Sequence, residues 1–453
     1  MSNNNKKVAF LNLGCKVNSY ETEAMQQLMR NSGYEVVDFS DKADVYIVNT
    51  CTVTNIADRK SRQMLHKAKK TNPEAVVVAA GCYAQASKGQ LEEDLAIDII
   101  IGNNVKKDIV TILNEFYIDQ GKNEAVIEIN KEKEYEELQI DSLTDKNRAY
   151  IKIQDGCNQF CSYCIIPYTR GRVRSRKQED IVAEVERLVA NGYKEVVLTG
   201  IHLSSYGIEL QKRNPDEEVE DYLKEESMPL LQIIMKLSKI DGLERIRLGS
   251  LEPRIITEHF VQTLASNPKF CPHFHLSLQS GCDTTLKRMN RKYNTKEYYD
   301  SCVLLRKYFD QPAITTDVIV GFPGETEEEF EQTKAFLRKV SFAEMHVFKY
   351  SVRKGTRAES MPNQVPDQTK QERSNELITL NDLMNEEYQN SFVGRIEKIL
   401  IEEEIDIDGV KYQIGHNERY LKLAVRAENA NVNDIVSAKV VERLSKDMML
   451  CEI

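Results

Sequence analysis

Short apolar runs alternate with amphipathic stretches along the first 120 residues. Runs such as VAFLNL, VYIVNT and AVVVAA have the composition of buried strands. The segment SYETEAMQQLMRNSGY, which follows the first run, places apolar residues at helical spacing. Strands and helices in alternation are typical of a parallel sheet covered by helices. The pattern therefore predicts an α/β fold that begins with an N-terminal parallel α/β sheet domain over residues 1–120.

A highly charged segment, residues 121–147, separates this series from a second one and is predicted to be a linker. Six further strand candidates follow it, namely AYIKIQ, EVVLTG, RIRLGS, FHLSLQ, TTDVIV and MHVFKYS. Six strand–helix units are fewer than the eight of a closed barrel, so the pattern predicts a central open (β/α)6 barrel over 148–383. The acidic stretch 215–226 interrupts this series and is expected to be a solvated insertion.

The remaining residues change to short β-rich runs, among them RIEKILIEE, VKYQIG, KLAVRA and DIVSAKVV. Closely spaced short strands without helices between them predict a small all-β barrel over 384–453. The chain of 453 residues is thus expected to hold three domains.

Composition and charge exclude several classes of protein. No apolar run approaches the roughly 18 residues that cross a bilayer, so no membrane partner is expected. The start MSNNNKKVAF has no apolar signal core, which predicts a cytoplasmic protein. The net charge of -10 does not favour a general nucleic-acid binder, so any RNA site must be a local basic patch. In the cytoplasm thiols stay reduced, and clustered cysteines indicate metal or redox chemistry.

The stretch DGCNQFCSYC carries three cysteines, Cys157, Cys161 and Cys164. Three thiolates can hold a four-iron cluster and leave one iron open for a ligand. The chain has no second C-x-x-C pair to complete a zinc site. The stretch follows the first predicted barrel strand, at the rim where barrel active sites form, so it predicts a catalytic iron–sulfur cluster.

A second set of cysteines consists of Cys15, Cys51 and Cys82, each directly after a predicted parallel strand. The carboxyl ends of parallel strands meet at one edge of a sheet, where ligands bind. This shared position predicts a second cluster, against the alternative of three separate structural cysteines. The other cysteines share no ligand spacing and are interpreted as structural: Cys271, Cys282, Cys302 and Cys451.

The loop pattern C-x3-C-x-aromatic-C resembles that of the radical S-adenosylmethionine (SAM) enzymes. The segments LGCKVNSYETEA, VNTCTVT, TRGRVRSR and SLQSGCDTTLKRMNRKY extend the resemblance to the methylthiotransferases over nearly the whole chain. GCKVNSYE and NTCTVT are most similar to the branch acting on N6-threonylcarbamoyladenosine at position 37 of tRNA. The terminal barrel resembles the RNA-binding TRAM module.

The resemblance implies two 4Fe-4S clusters, held by the two cysteine sets, and SAM as both methyl donor and radical source. The implied reaction places a methylthio group on C2 of the modified adenosine in the tRNA anticodon loop. It also implies an electron donor such as flavodoxin or ferredoxin, and a sulfur donor. Three alternatives remain open: isopentenyladenosine in tRNA as target, an aspartate of a ribosomal protein as target, and a non-enzymatic iron–sulfur protein that binds RNA.

Candidate contacts for SAM lie at predicted strand ends on the same rim, and Tyr163 lies within the cysteine loop. Turn formation and helix capping are the alternative for Thr199 and Gly200, and ordinary aromatic packing is the alternative for Tyr163. The full set of SAM candidates is Tyr163, Thr199, Gly200, Glu252 and Gln279.

Candidate contacts for RNA come from three basic segments. The basic residues of TRGRVRSRK begin six positions after Cys164, KRMNRK follows a predicted strand, and the net acidic terminal barrel offers only a local face. The alternative for TRGRVRSRK is salt bridges with nearby acids such as Glu179 and Asp180. The predicted RNA contacts are Arg170, Arg172, Arg174, Arg288, Arg291, Arg395, Arg419 and Tyr420.

Overall fold

The fold is taken from a computed structural model that describes residues 6–119, 123–140, 147–210 and 228–453. The insertion predicted at 215–226 lies outside the described residues, as does part of the linker predicted at 121–147. Among the described residues, no helix combines the length and the apolar character needed to span a membrane.

The first domain is a parallel sheet of six strands with helices packed on it. The strands are β1 (Lys7–Asn12), β2 (Glu35–Val37), β3 (Val45–Thr50), β4 (Val76–Gly81), β5 (Ile99–Ile101) and β6 (Asn123–Ala125). The helices are α1 (Lys16–Asn31), α2 (Asn55–Thr71), α3 (Cys82–Ala86), α4 (Lys88–Glu92) and α5 (Ile109–Asp119). The strand order β2-β1-β3-β4-β5-β6 makes β1, β3 and β4 neighbours.

Burial explains why the strands of this sheet are so apolar. Every residue of β3 and β4 is buried, as expected for central parallel strands with both faces covered. The sheet also extends past the boundary predicted at residue 120, because Asn123–Ala125 pairs in parallel with β5. A strand of three residues inside a charged segment gives too weak a pattern to be recognised from the sequence.

The central domain contains the six predicted parallel strands and one short antiparallel strand. The strands are β7 (Arg148–Asp155), β8 (Arg174–Ser175), β9 (Glu195–Gly200), β10 (Arg245–Leu248), β11 (His273–His275), β12 (Ala313–Val320) and β13 (Glu344–Lys349). The helices are α6 (Ile166–Arg170), α7 (Gln178–Ala190), α8 (Pro229–Leu237), α9 (Glu258–Ala265), α10 (Asp283–Arg288), α11 (Thr295–Tyr308), α12 (Glu327–Val340) and α13 (Asp367–Asn390).

The strand pairing confirms an open barrel of six parallel strands. β7, β9 and β10 pair in parallel, as do β11, β12 and β13. Single parallel bridges, Ile246 to Phe270 and Leu251 to Leu276, join the two sets. Alternate residues of β12, Ile314, Val318 and Val320, pack in the main hydrophobic core, which leaves Thr315 and Asp317 on the lumen face.

The third domain is a closed five-stranded barrel, which confirms the all-β prediction. Its strands are β14 (Ile396–Ile407), β15 (Val410–His416), β16 (Lys422–Arg426), β17 (Ile435–Ser445) and β18 (Met448–Glu452), in the order β14-β15-β16-β18-β17. The boundary predicted at residue 384 falls inside α13, which continues to Asn390. Arg245 and Arg247, on β10, donate hydrogen bonds to backbone carbonyls of this barrel. The terminal barrel therefore contacts the amino-terminal end of the central barrel.

Candidate active site

The structure brings Cys15, Cys51 and Cys82 to one edge of the first sheet. Cys15 caps α1 shortly after β1, Cys51 follows β3 directly, and Cys82 opens α3 directly after β4. Burial raises the pKa of Cys51 to about 11, and the nearby charges of Cys82 and Cys15 raise it as well. Three free thiols at one edge of a sheet form a donor set of the kind that binds an iron–sulfur cluster.

The second cysteine set lies in the loop that follows β7. Gly156 opens the loop at φ 72°, and a Cβ there would approach the carbonyl oxygen of Arg172 to 1.9 Å, so the position requires glycine. The backbone N–H of Cys164 donates to the carbonyl of Cys161 at 3.0 Å, which folds the loop into a turn. Burial raises the pKa of Cys157 to about 12, with the charge of Cys161 contributing in the same direction.

In each cysteine set, one sulfur atom accepts a hydrogen bond from an arginine side chain, and a different arginine serves each set. Arg170 Nε lies 3.2 Å from Cys82 Sγ, and Arg291 Nη1 lies 3.1 Å from Cys161 Sγ. Both arginines had been predicted to contact RNA, and the structure directs them instead to the predicted metal ligands. Hydrogen bonds to cluster sulfurs are among the features that set reduction potential, so the two contacts fit iron–sulfur sites.

Arg170 is also the centre of a buried ionic network between the first domain and the central barrel. Its Nη1 atom lies 2.8 Å from Glu21 Oε1 and 3.1 Å from Asp155 Oδ1, and its side chain has no exposure. Lys152 pairs with the same two carboxylates at 2.7 Å each. Lys106, in the first domain, lies 2.6 Å from Glu21. Arg170 therefore holds the domains together and offers no surface to RNA.

The other members of TRGRVRSRK divide into buried and exposed positions. Arg174 is buried and donates hydrogen bonds to the carbonyls of Arg170 and Arg172, and Arg176 is buried against Glu184. Buried guanidinium groups cannot reach a phosphate without breaking these contacts, so Arg174 is a structural residue here. Arg172 is exposed, with its guanidinium 4.6 Å from the centre of the Phe160 ring.

The remaining predicted RNA contacts are engaged with protein partners. Arg288 pairs with Glu329, with Nη1 2.8 Å from Oε1. Arg395 and Arg419 both pair with Asp310, and Arg419 Nη1 lies 3.3 Å from Glu397 Oε2. These two arginines thus join the terminal barrel to the segment after α11.

Tyr420 is enclosed by aromatic and cationic groups. Its ring stacks on His416 at 4.3 Å and on His273 at 5.2 Å between centroids. The guanidinium of Arg148 lies 4.8 Å from the ring and that of Arg247 lies 4.9 Å away. Tyr420 therefore packs the terminal barrel against the central one, and its ring faces are not available for stacking on a nucleobase.

The predicted SAM contacts lie at the barrel rim in different settings. Gln159, in the cysteine loop, donates to Glu252 at 3.4 Å. Burial raises the pKa of Glu252, but hydrogen bonds and charge from His202 and Arg254 outweigh it and lower the value to about 2. Thr199 is buried and donates to the Ile151 carbonyl at 3.2 Å, which is a structural bond.

A cavity of about 340 Å³ lies where the first domain meets the rim of the central barrel. The first domain contributes Val53 and Thr54, which follow Cys51, and the barrel contributes Cys164 itself. A cavity of this size holds a small organic ligand. The remaining lining residues are Tyr163, Ile165, Ile166, Gln279, Asp317, Ile319, Phe348, Lys349, Tyr350 and Ser351. Tyr163 and Gln279, both predicted SAM contacts, thus face the same space, whereas Gly200 lies next to Gln154 at the end of β9.

Two groups of residues at this site were not predicted from the sequence. Phe348 and Tyr350 line the cavity, and Arg353 ties the barrel to the first domain through Asp58, at 2.8 Å, and Asn55, at 2.7 Å. Phe348 lies in β13, and Tyr350 and Arg353 follow it directly. A position at the end of the last barrel strand is the one sequence signal that places these residues at the rim.

Comparisons with known proteins agree with this architecture. Residues 151–337 match the model of the Radical SAM superfamily, and residues 7–102 match that of the Uncharacterized protein family UPF0004. Solved structures show the same fold at low sequence identity. The radical SAM methyltransferase TsrM from Kitasatospora setae superposes with a TM-score of 0.53 at 16% identity, covering 76% of this chain and 73% of that one.

Curated relatives match over nearly the full length. The chain is 40% identical to the threonylcarbamoyladenosine tRNA methylthiotransferase MtaB of Bacillus subtilis over 437 residues, 96% of this chain and 94% of that protein. It is 39% identical to MtaB of Aquifex aeolicus, covering 88% and 93%. The tRNA-2-methylthio-N(6)-dimethylallyladenosine synthase of Carboxydothermus hydrogenoformans is 36% identical, covering 95% of both chains.

Proposed function

This chain belongs to the family of radical SAM tRNA methylthiotransferases, and we propose that it transfers a methylthio group to C2 of N6-threonylcarbamoyladenosine at position 37 of tRNA. The observation that carries the proposal is the cavity where the first domain meets the barrel rim, lined by Cys164 and by Val53 and Thr54, which follow Cys51 in the chain. It brings Cys164 and the segment after Cys51 to one space, which supports a reaction that uses both cysteine sets.

The two cysteine sets fit two 4Fe-4S clusters. The first set offers three free thiols after three parallel strands, the second offers three in the loop after β7, and each has one sulfur that accepts a guanidinium hydrogen bond. When bound, the clusters and SAM supply the radical and sulfur-transfer chemistry that an unactivated aromatic C–H bond requires.

The chain's own residues position the reactants and keep water out. The buried network around Arg170 and the Arg353–Asp58 pair hold the first domain against the barrel. We assign Glu252, Gln279 and Tyr163 to SAM binding, because Glu252 contacts the cysteine loop and the other two line the cavity. Apolar lining residues such as Ile165 and Ile319 limit the access of water to the site.

An exposed patch beside the cysteine loop is suited to hold the tRNA. It consists of Phe160, Tyr168 and Arg172, of which Tyr168 and Arg172 are exposed. The rings of Phe160 and Tyr168 meet edge to face at 5.7 Å, and Arg172 lies over Phe160. Aromatic rings stack on splayed bases and exposed cations contact phosphates, so the patch fits an anticodon loop with its target base turned out.

Three further elements complete the proposal. A low-potential electron donor such as flavodoxin or ferredoxin reduces the enzyme, and a separate donor supplies sulfur. The reaction takes place in the cytoplasm, where the six ligand thiols remain reduced.

The test is the nucleoside profile of total tRNA from a strain that lacks this protein, measured by mass spectrometry. The proposal expects loss of the methylthio form of N6-threonylcarbamoyladenosine and its return with the wild-type gene but not with Cys164→Ala. Loss of the methylthio form of isopentenyladenosine instead would show that isopentenyladenosine is the substrate of this protein. An unchanged profile would reject a role in either modification.

A further inference from the structure

Two histidines and one aspartate meet inside the lumen of the central barrel. His275 ends β11, Asp317 lies within β12, and His346 lies within β13. Asp317 is the register partner of His346, and His275 is that of Thr315, two residues before Asp317. One nitrogen from each histidine and one carboxylate oxygen all lie within 4.8 Å of one another. The proposed function assigns no role to any of the three, although Asp317 lines the rim cavity.

The geometry of the pair His275 and Asp317 matches that of two ligands on one metal ion. His275 Nε2 lies 3.3 Å from Asp317 Oδ2. Two ligands on a tetrahedral zinc ion, each about 2.0–2.2 Å from it, are about 3.3 Å apart. The exposed His346 stacks against His275 with ring centroids 5.9 Å apart. A small movement of its side chain brings a ring nitrogen to a ligand-to-ligand distance from His275 Nε2 and Asp317 Oδ2.

His275 is held as metal-binding histidines are commonly held. Its Nδ1 atom lies 3.0 Å from Thr315 Oγ1, so Nε2 is directed toward Asp317. Outer hydrogen bonds of this kind fix the ring and the tautomer of a ligand histidine, and their removal typically weakens metal binding 10- to 100-fold.

The cluster lies between two cavities of the lumen. Asp317 lines the cavity of about 340 Å³ at the rim. Thr315, the partner of His275, lines a second cavity of about 510 Å³ on the side of the terminal barrel. An ion in this position is accessible to water and can keep a fourth coordination site open.

We propose that His275, Asp317 and His346 bind one divalent transition cation, of which zinc is the type case, inside the barrel. Two imidazoles and one carboxylate are the borderline donors that such ions prefer over Mg²⁺ or Ca²⁺. The ion connects β11, β12 and β13, which form one side of the open barrel, and neutralises the carboxylate beside the reaction cavity. Because it binds only the folded barrel, it stabilises the folded state.

The test uses the holoenzyme with both clusters, dialysed against micromolar Zn²⁺, with zinc and iron counted by mass spectrometry and the melting temperature recorded. The first variant is His346→Gln, because an exposed side chain can be replaced without disturbing the core. Asp317→Asn removes a second ligand, and Thr315→Val removes only the bond that orients His275. His259→Gln, an exposed histidine on α9, is the matched control.

The proposal expects one zinc per chain in the wild type and in His259→Gln, with iron unchanged and the melting temperature raised by zinc. His346→Gln and Asp317→Asn lose both the zinc and the thermal shift, and Thr315→Val binds zinc 10- to 100-fold more weakly. The proposal is overturned if the wild type takes up no zinc, if zinc enters only as iron leaves, or if His346→Gln binds as much zinc as the control.

Discussion

Arg291 is predicted to raise the reduction potential of the cluster at Cys157, Cys161 and Cys164. Its Nη1 atom donates to Cys161 Sγ at 3.1 Å, and its Nε atom donates to the Tyr293 hydroxyl at 2.9 Å, which fixes the guanidinium in place. Reduction adds one negative charge to the cluster, so a fixed cation at this distance favours the reduced state. Arg291→Gln removes the cation and the hydrogen bond and therefore lowers the potential.

The expected size of the change follows from Coulomb's law. A unit charge about 5–6 Å from an electron shared over the cluster interacts by ~3 kcal/mol at an effective dielectric constant of about 20. Arg291 is only half-buried, so screening by water reduces this to ~1–2 kcal/mol. For a one-electron couple, 59 mV corresponds to a tenfold change in equilibrium. The potential of Arg291→Gln should therefore fall by about 50–100 mV.

The assay is a redox titration followed by electron paramagnetic resonance, using the signal that changes when SAM is added. Arg288→Gln is the matched control, because Arg288 lies three residues away and pairs with Glu329. The cluster's reduction potential in Arg288→Gln should equal that of the wild type within experimental error. A potential that is unchanged or higher in Arg291→Gln, or a fall of equal size in Arg288→Gln, would refute the reasoning.

Three further predictions concern the clusters and the RNA. Cys157→Ala should abolish SAM cleavage and remove about half of the iron, because the other cysteine set lies in a separate domain, and near-complete loss of iron would contradict this. Alanine at Cys15, Cys51 and Cys82 together should still allow 5′-deoxyadenosine to form but no methylthio product, and product at the wild-type rate would falsify the sulfur-carrier role. Arg172→Ala should lower the log–log salt slope of tRNA binding by roughly 0.7–0.9, the value for one lost phosphate contact, in a protein with an unchanged melting temperature. An unchanged slope would remove Arg172 from the RNA interface.

Sequence reasoning succeeded where the signal was local. Short β-rich runs located the six barrel strands, although β10 and β11 are only four and three residues long, and the position of Cys82 directly after AVVVAAG identified the edge at which it lies. The domain boundary predicted at residue 384 falls within α13, which runs continuously from Asp367 to Asn390 and so gives no local break between two domains that differ in fold.

Sequence reasoning could not assign the roles of Arg170 and Arg291, because the residues that they contact lie far away along the chain. Arg170 is 149 residues from Glu21, and Arg291 is 130 residues from Cys161. A run of basic residues near a predicted active site looks the same whether the side chains face phosphates or buried acids. Only the packing of the first domain against the barrel distinguishes the two, and it leaves Arg172 exposed between the buried Arg170 and Arg174.

The contacts of Arg170 give a physical reason for a buried ionic network between two domains. Its guanidinium joins Cys82 Sγ, a proposed cluster ligand in the first domain, to Asp155, two residues before Cys157 in the barrel. Replacing such a network by apolar residues can be neutral or stabilising, so stability alone does not explain it. Apolar packing, however, would allow the domains to shift by small amounts relative to each other. A charged, bidentate group tied to both cysteine loops fixes their separation, and a reaction between two metal centres depends on that separation.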